Sequence, residues 1–469
     1  MFAIPEGKKK TVLLIGACAL GLVAVLAVIV LLLALTGKNK AVTAGTPSAI
    51  LSSTAPPPSD GTSAPDTTSP AATSLASSPG HSSAASLPSA GDSSQKPPVD
   101  TLPASSSAPG TTAPVVPTVP FPVAPEPAFR TVTGPVEIID SQVKILGRSR
   151  AGATGGIELF YSGSGFTFLF EGTAAYATLS APSMGEAYQP YVRVLVDGKE
   201  TADFTVSDKK EYVLAEGLSN GRHTVEVIKR TECFCAVTAY TLRLSDGARL
   251  SDRLADSVRK IEFIGDSITC GYGNIAPSGE TAFKTQYEDQ TSTISYLLGK
   301  RFGADIRLVA QSGNGISRNN GGGTANLIPA LYPRVAGAGS AAYDFSSWQA
   351  DVVCINLGTN DEASGKATKE DFIAKSVSFL KTVRQAYPNA VILWSYGTMI
   401  NGYSTHIRQA IEDYSRETGD MRVSYLQLDA ILSSDGYGTH GHPNAVTNRK
   451  TADVMAARIQ ELTGWEQRS

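Results

Sequence analysis

The stretch that decides the fold runs from residue 261 to residue 274 and reads Ile-Glu-Phe-Ile-Gly-Asp-Ser-Ile-Thr-Cys-Gly-Tyr-Gly-Asn. Its first four residues are mostly apolar, lack clean polar alternation, and run straight into a Gly-Asp-Ser turn. A short run of this kind is typical of a strand that is buried on both faces of a parallel sheet. Ser267 therefore follows the carboxyl end of a strand, which is where such sheets bind ligands.

The same alternation of apolar strands with longer helical segments continues beyond this stretch. It predicts an α/β fold whose parallel sheet is covered by helices on both faces. The predicted strands are Ile261 to Ile264, Ile306 to Ala310, Val352 to Leu357, Val391 to Tyr396 and Val423 to Leu428, and the helical stretches are Tyr287 to Phe302, Lys369 to Tyr387 and Thr405 to Thr418.

Polar turns follow four of these strands. Because the carboxyl ends of parallel strands share one edge of a sheet, we expect the turns to line a common rim. Each turn taken alone could merely cap a helix or reverse the chain, but all of them in series favour a functional site. The turns are Gly265-Asp266-Ser267-Ile268-Thr269, Gln311-Ser312-Gly313-Asn314-Gly315, Gly358-Thr359-Asn360-Asp361 and Gly441-His442-Pro443-Asn444.

The residue types in these turns fit nucleophilic catalysis. A serine hydroxyl becomes a strong nucleophile when a neighbouring imidazole takes its proton, so we predict Ser267 as nucleophile and His442 as base. The backbone N–H groups of Ser267 and Gly313 and the side-chain amide of Asn360 are candidate donors to a tetrahedral oxyanion. The residues around Ser267 do not form the G-x-S-x-G turn of α/β-hydrolases.

The four blocks, in this order over about residues 260–465, resemble those of the SGNH (GDSL-type) hydrolases. The resemblance implies a three-layer fold, ester hydrolysis, and the roles of nucleophile for Ser267, base for His442 and oxyanion hole for Ser267, Gly313 and Asn360. Residues 261–274, together with Val227-Ile228-Lys229-Arg230-Thr231-Glu232, are more narrowly similar to carbohydrate esterase family 2. That similarity implies an N-terminal jelly roll and removal of acetyl groups from polysaccharides such as xylan and mannan.

One departure from the family pattern concerns the catalytic acid. Many SGNH enzymes carry an aspartate three residues before the catalytic histidine, and some members of family 2 carry it two residues before. Here those positions are Thr439 and His440. Two hypotheses stay open: Asp435, which belongs to an Asp-Gly turn signal, is the third member, or a backbone carbonyl orients His442 in a Ser-His dyad. Gly441 stands where relatives often have Trp, which predicts a wider or less aromatic acyl pocket.

A second domain is predicted upstream of the hydrolase domain, which we place at residues 258–467. Residues 129–250 read as short alternating strands separated by turn signals such as Asp197-Gly198. Regular short strands of this kind predict an all-β sandwich or jelly roll. Among the predicted strands are Gly156 to Phe160, Phe166 to Phe170 and Tyr191 to Val196.

The N-terminal part of the chain has the composition of an anchor and a stalk. Residues 12–35 are uncharged and almost wholly aliphatic, which is long enough to cross a hydrocarbon core of about 30 Å as a transmembrane helix. Three lysines before this run favour a cytoplasmic N-terminus at residues 1–11. Residues 36–128 are rich in Ser, Thr, Pro, Ala and Gly and predict a disordered stalk. A cleaved signal peptide is the alternative, with a weak cleavage site at residues 42–44.

Composition bounds the partners of the chain. The 469 residues carry 40 Lys and Arg against 43 Asp and Glu, so no basic field indicates nucleic-acid binding. The 5 cysteines fit neither a dense disulfide framework nor a zinc pattern, and we interpret most of them as buried small hydrophobic residues. We expect no cofactor and no metal, since His440 and His442 would need converging acidic partners to hold one.

Together these features predict a membrane-anchored, extracellular serine esterase, expected to be monomeric, that removes acetyl groups from xylan-like or mannan-like polysaccharide or from wall glycan. One alternative is a broader-specificity lipase or thioesterase on the same scaffold, which a preference for longer acyl chains would reveal. The other is a catalytically weak, carbohydrate-binding surface module. The joint presence of Ser267, Asn360 and His442 argues against it, because binding alone requires neither a nucleophile nor its base.

Overall fold

The computed structural model describes residues 117–123 and 125–468. The predicted membrane helix at residues 12–35 and most of the predicted stalk at residues 36–128 lie outside the described residues. Within the described part of the chain, no helix combines the length and the apolar character that crossing a membrane requires.

The N-terminal folded region is an antiparallel β-sandwich, as the short alternating strands predict. Its strands are β1 (Phe129–Thr131), β2 (Val136–Glu137), β3 (Lys144–Leu146), β4 (Ser149–Ala151), β5 (Ile157–Leu159), β6 (Gly165–Gly172), β7 (Ala175–Ser180), β8 (Tyr191–Val196), β9 (Lys199–Thr205), β10 (Lys210–Ala215), β11 (Gly221–Lys229), β12 (Val237–Leu244) and β13 (Arg249–Ser251). One sheet has the order β1-β13-β6-β11-β8-β9, with β3 also paired to β6, and the other has the order β10-β7-β12-β5-β4, with β2 paired to β12. Alternate side chains such as Phe166, Phe168 and Phe170 fill the core between the sheets.

The C-terminal region is a five-stranded parallel sheet with helices on both faces, as the sequence predicts. Its strands are β14 (Lys260–Gly265), β15 (Asp305–Ala310), β16 (Val352–Asn356), β17 (Val391–Tyr396) and β18 (Val423–Gln427). Its helices are α1 (Ser267–Cys270), α2 (Ile294–Phe302), α3 (Ile328–Leu331), α4 (Thr359–Ala363), α5 (Lys369–Ala386), α6 (Ser404–Thr418) and α7 (Ala445–Thr463). The strand order is β15-β14-β16-β17-β18, a doubly wound arrangement whose switch point lies beside β14.

Two separate apolar cores cover the two faces of this sheet. Along β16, Val353 and Ile355 pack in the core that contains the apolar side chains of α5 and α6. Val352 and Cys354 pack in the core formed with α2 and α7. Both faces of the strand are therefore apolar, which explains why its sequence lacks polar alternation.

Two helices differ from the sequence prediction. The helix predicted over Tyr287 to Phe302 begins only at Ile294, because Asp289 accepts hydrogen bonds from the Thr291 N–H at 3.0 Å and the Ser292 hydroxyl at 2.6 Å. These bonds hold the preceding residues in a 3-10 turn. The helix α7 has no counterpart among the predicted helices, because threonine, asparagine and alanine make up most of its buried face and weaken the apolar pattern.

The C-terminal end of the predicted stalk is ordered. Val119 forms a parallel bridge with Trp465, and the ring of Phe121 lies 4.0 Å from the guanidinium of Arg468. The prediction of a stalk that is disordered as far as residue 128 therefore extends too far along the chain. The surrounding Pro and Thr residues give this segment the composition of a disordered stalk, although two of its apolar side chains contact the hydrolase domain.

A buried ion pair joins the sandwich to the parallel sheet. Arg148, in the turn between β3 and β4, donates to Glu262 Oε1 of β14 at 2.8 Å, and both side chains are completely buried. The Tyr332 hydroxyl donates to the other oxygen of Glu262 at 2.9 Å, and its carbonyl accepts from Arg148 at 2.6 Å. The pair explains why a glutamate interrupts the apolar sequence of β14.

We predict that Glu262→Ala lowers the free energy of unfolding by about 3–5 kcal/mol, because it leaves the Arg148 charge buried without its partner. Denaturant unfolding measures the loss. As a matched control, Glu158→Ala removes the partly exposed Arg150–Glu158 pair and should cost at most about 1 kcal/mol. Equal losses for the two variants would contradict the role given to the buried pair.

Candidate active site

Ser267 is held at the carboxyl end of β14 by a tight turn into α1. Asp266 caps this helix, and its Oδ1 accepts a hydrogen bond from the Ile268 N–H at 3.1 Å. Gly265 lies so close to the Thr269 side chain that a Cβ at this position would overlap it, which explains the glycine. Ser267 is only 6% exposed, so its hydroxyl is largely shielded from bulk water.

His442 meets Ser267 across the rim. Its Nε2 lies 2.8 Å from the Ser267 Oγ, and its Nδ1 lies 2.9 Å from the carbonyl oxygen of Thr439. Because a carbonyl can only accept a hydrogen bond, Nδ1 carries the proton and Nε2 is left to accept from the serine hydroxyl. This is the tautomer that a general base for serine requires.

The position of a third catalytic member is taken by a backbone carbonyl. Within the described residues, His442 Nδ1 bonds to the Thr439 carbonyl and to no carboxylate. Asp435 ends a short 3-10 turn and receives two hydrogen bonds from the Lys450 ammonium, at 2.7 and 2.8 Å. Of the two hypotheses for the acid, the geometry therefore favours the Ser-His dyad.

The turn formed by residues 271–274 holds the histidine loop in place. The Gly273 carbonyl accepts a hydrogen bond from the Thr439 N–H at 3.1 Å. Gly273 has a φ of +60° and lies against Thr439 with no room for a Cβ. The ring of Tyr272 lies 4.5 Å from the imidazole of His442. The Gly-Tyr-Gly-Asn sequence thus positions both the carbonyl that orients His442 and an aromatic surface beside it.

The predicted oxyanion donors come together from three loops. Within the described residues, the backbone N–H groups of Ser267 and Gly313 donate to no other protein group. The Asn360 amide donates to the Asn314 carbonyl at 2.9 Å and to Asp266 Oδ2 at 3.2 Å. Because these two acceptors adjoin Gly313 and Ser267 in sequence, the bonds bring all three donors close together.

Burial sets the protonation of the groups around the serine. Complete burial raises the pKa of Asp266 to about 7. Burial lowers the pKa of His442 to about 4, because the imidazolium loses hydration that no carboxylate replaces; the Thr439 carbonyl opposes this shift and the nearby His440 adds to it. His442 is therefore neutral at neutral pH, the form that can accept a proton.

The structure places Ser267, Gly313, Asn360 and His442 at one rim, as the sequence predicts. Sequence reasoning missed the part played by Thr439, which entered only as the position of an absent acid. A carbonyl that acts through the backbone leaves no side-chain signature. The available signal was the Gly-Tyr-Gly-Asn run, which the family resemblance included without assigning it a role.

The cysteines agree with their interpretation as small buried residues. Cys233, Cys235, Cys270 and Cys354 are all buried and carry free thiols. Cys18 lies outside the described residues. Among the described residues, no group of three or more His, Cys, Asp and Glu side chains is placed to hold a metal ion.

Each of the two domains matches a known protein family. Residues 145–252 match the family described as carbohydrate esterase 2 N-terminal, and residues 263–450 match the GDSL-like lipase/acylhydrolase family. The chain is 32% identical over 311 residues to the cellulase/esterase CelE of Acetivibrio thermocellus, a match that covers 65% of this chain and 38% of that protein. The chain thus spans well under half the length of this relative.

Two further relatives are covered more completely. An acetylxylan esterase/glucomannan deacetylase of Cellvibrio japonicus is 28% identical over 292 residues, which cover 59% of this chain and 79% of that protein. The solved structure of a family two carbohydrate esterase from Clostridium thermocellum, in complex with cellohexaose, is 30% identical with a TM-score of 0.65. That match covers 69% of this chain and 99% of the solved chain.

We predict that the imidazole of His442 titrates near pH 4, well below an ordinary histidine, because it is buried without a carboxylate partner. Nuclear magnetic resonance of histidine-labelled protein measures the midpoint. His223 is the internal control: hydrogen bonds to the Ser219 carbonyl and to Asp197 raise its pKa above the ordinary value. A His442 midpoint at or above that of His223 would show that a carboxylate does stabilise the imidazolium.

Proposed function

The chain belongs to carbohydrate esterase family 2, and on that premise we propose that it is a serine esterase that removes acetyl groups from carbohydrate. The observation that carries the proposal is the 2.8 Å contact between Ser267 Oγ and His442 Nε2, with the histidine proton held on Nδ1 by the Thr439 carbonyl. This arrangement activates a serine for attack on an ester.

In the acylation step, Ser267 Oγ attacks the acetyl carbonyl carbon while His442 Nε2 takes the hydroxyl proton. The Ser267 and Gly313 N–H groups and the Asn360 amide bind the oxyanion that forms. When the tetrahedral intermediate collapses, the bond to the sugar oxygen breaks and that oxygen takes the proton from His442. Water then attacks the acetyl-serine with His442 again as base, and acetate and free Ser267 result.

The imidazolium that forms in each step has two stabilising neighbours in this mechanism. The Thr439 carbonyl accepts the Nδ1 proton at 2.9 Å, and the Tyr272 ring lies 4.5 Å from the imidazole. A cation over an aromatic ring gains about 0.5–2 kcal/mol, depending on how far it is desolvated. Together they supply part of the imidazolium stabilisation that an aspartate provides in a triad.

We also propose that the enzyme is a single-pass membrane protein whose catalytic domain lies outside the cell. The support is the apolar run at residues 12–35 with lysines before it. Arg259, directly before β14, donates to the carbonyls of Val119 at 2.7 Å and Pro120 at 2.6 Å. These contacts lie at the opposite end of the sheet from Ser267, so a stalk that enters here leaves the rim open to a polymeric substrate.

We predict that Ser267→Ala abolishes acetate release from acetylated glucomannan, because it removes the nucleophile. His442→Ala should approach the same loss. Asp435→Asn and His440→Ala should lower kcat only modestly, since replacing a true orienting aspartate costs about 10⁴-fold. A drop of about three orders of magnitude or more for folded Asp435→Asn would make Asp435 the third catalytic member.

The same assay separates the substrate alternatives. Acetylated xylan, acetylated glucomannan and O-acetylated peptidoglycan are compared as acetate donors, with Ser267→Ala as the blank. Simple esters of increasing acyl length then test the lipase or thioesterase alternative, which would be supported by faster hydrolysis of longer chains. A folded protein that releases no acid from any of these esters would support the binding module instead.

The membrane topology is tested on intact cells. We predict that added protease releases active esterase into the medium by cutting between residues 36 and 116, because a stretch rich in Ser, Thr and Pro offers accessible backbone. Activity that stays protected until the cells are lysed would reject the proposed orientation.

A further inference from the structure

A loop of the sandwich domain reaches the catalytic rim. The chain leaves β11 at Lys229 and enters β12 at Val237, and the connection between them carries Glu232. Both oxygens of the Glu232 carboxylate bond to Ser312: Oε2 accepts from the backbone N–H at 2.9 Å and Oε1 accepts from the hydroxyl at 2.5 Å. Glu232 of the sandwich thus forms two hydrogen bonds to the hydrolase loop, at the residue that precedes Gly313.

We infer that Glu232 is a positioning residue that preorganises the oxyanion hole from the sandwich domain. The inference rests on the proposed function and deepens it, since it assigns a catalytic task to a domain that contains neither the nucleophile nor the base. Two bonds to the same residue fix both the position and the rotation of Ser312. The Gly313 N–H is the next donor along the chain, so its direction follows from that of Ser312.

Gly313 needs such support because its own backbone is permissive. Its φ is +78°, in the left-handed region that glycine adopts with little cost, and a Cβ built there would meet nothing within 4 Å. The Gly313 carbonyl accepts a hydrogen bond from the Asn320 N–H at 2.9 Å, but among the described residues no protein group accepts from its N–H and so fixes the direction of that donor. Preorganised donors matter because a donor that must be ordered during the reaction stabilises the transition state less.

A second carboxylate anchors the far side of the same loop. Asp361, next to the oxyanion donor Asn360, accepts hydrogen bonds from the backbone N–H groups of Ile316 at 2.9 Å, Ser317 at 2.6 Å and Arg318 at 2.8 Å. The loop is therefore pinned at Ser312 by the sandwich and at residues 316–318 by the hydrolase domain. The short segment between these anchors carries the Gly313 donor.

Glu232 is itself held rigidly. Its side chain is buried, its backbone N–H donates to Glu288 Oε2 at 3.0 Å, and its carbonyl accepts from the buried Lys229 ammonium at 2.6 Å. Burial next to Glu232 raises the pKa of Glu288 well above its ordinary value, which favours the neutral form of this neighbour and lessens repulsion between the two acids. Polar groups satisfied in this way inside a protein move little, which suits a positioning role.

The inference is tested with Glu232→Leu, Glu232→Gln and Ser312→Ala in the full chain, with hydrolysis of p-nitrophenyl acetate as the assay. Glu232→Leu should lower kcat by about 10²-fold with KM within about twofold, since an oxyanion donor acts only in the transition state. Glu232→Gln keeps an acceptor for the Ser312 N–H and gains a donor to its hydroxyl, so kcat should stay within about fivefold of wild type.

The matched control is Glu226→Leu, which removes a glutamate from β11 of the same domain that pairs with Lys300 rather than with the rim. Its kcat should not change. Binding of methylboronic acid, which forms a tetrahedral adduct on the serine, should weaken in Glu232→Leu in parallel with kcat and stay unchanged in the control. A purely structural role for Glu232 would lower the melting temperature and leave both quantities as they are.

Unchanged kcat in folded Glu232→Leu, or a change confined to KM, would overturn the inference while the proposed function stands. If Glu232→Leu does not fold, Ser312→Ala provides the test. It removes the hydrogen bond from the Ser312 hydroxyl to Glu232 and keeps the one from the backbone N–H. It should lower kcat by about threefold to tenfold at constant KM, and an unchanged kcat would overturn the inference. Wild-type protein without esterase activity would instead overturn the proposed function itself.

Discussion

The hydrogen bond from His442 Nδ1 to the Thr439 carbonyl, at 2.9 Å, is the contact on which the rest of the site depends. It selects the tautomer that leaves Nε2 facing Ser267, which is the first task of the aspartate in a triad. It cannot perform the second task fully, because a neutral carbonyl stabilises an imidazolium less than a carboxylate does. Burial lowers the pKa of His442 to about 4, and the hydrogen bond to the Thr439 carbonyl offsets only part of that shift.

Holding that carbonyl in place explains several features that otherwise look unrelated. The left-handed Gly273 brings its own carbonyl to the Thr439 N–H, and it must be glycine because Thr439 leaves no space for a side chain. The oxyanion side of the site is built on the same plan, with Glu232 and Asp361 holding a loop around Gly313. In both places a glycine lies in a segment that is held by hydrogen bonds to residues distant in sequence, and on the oxyanion side one of those residues, Glu232, belongs to the sandwich domain.

Much of this arrangement could be predicted from the sequence, and the limits have physical reasons. The buried strands and the polar turns after them placed Ser267, Asn360 and His442 at one rim, since parallel strands share an edge. The carbonyl of Thr439 could not be read from residue types, because every residue carries one. The contact between Glu232 and Ser312 joins residues 80 positions apart on two domains, and no local pattern reports such a pairing. The contacts of Val119 and Phe121 could not be predicted either, because their partners, Trp465 and Arg468, lie more than 300 residues away in sequence.

We propose that Ser267 is made nucleophilic by a histidine that is oriented by a backbone carbonyl and by no carboxylate. Covalent labelling with a fluorophosphonate, followed by peptide mass spectrometry, tests it most directly because the label reports the reactivity of the serine without any assumption about substrate. We expect a single adduct on Ser267 that forms at nearly the same rate in wild type and Asp435→Asn and very slowly in His442→Ala. An adduct on another residue, or labelling as slow in Asp435→Asn as in His442→Ala, would contradict it.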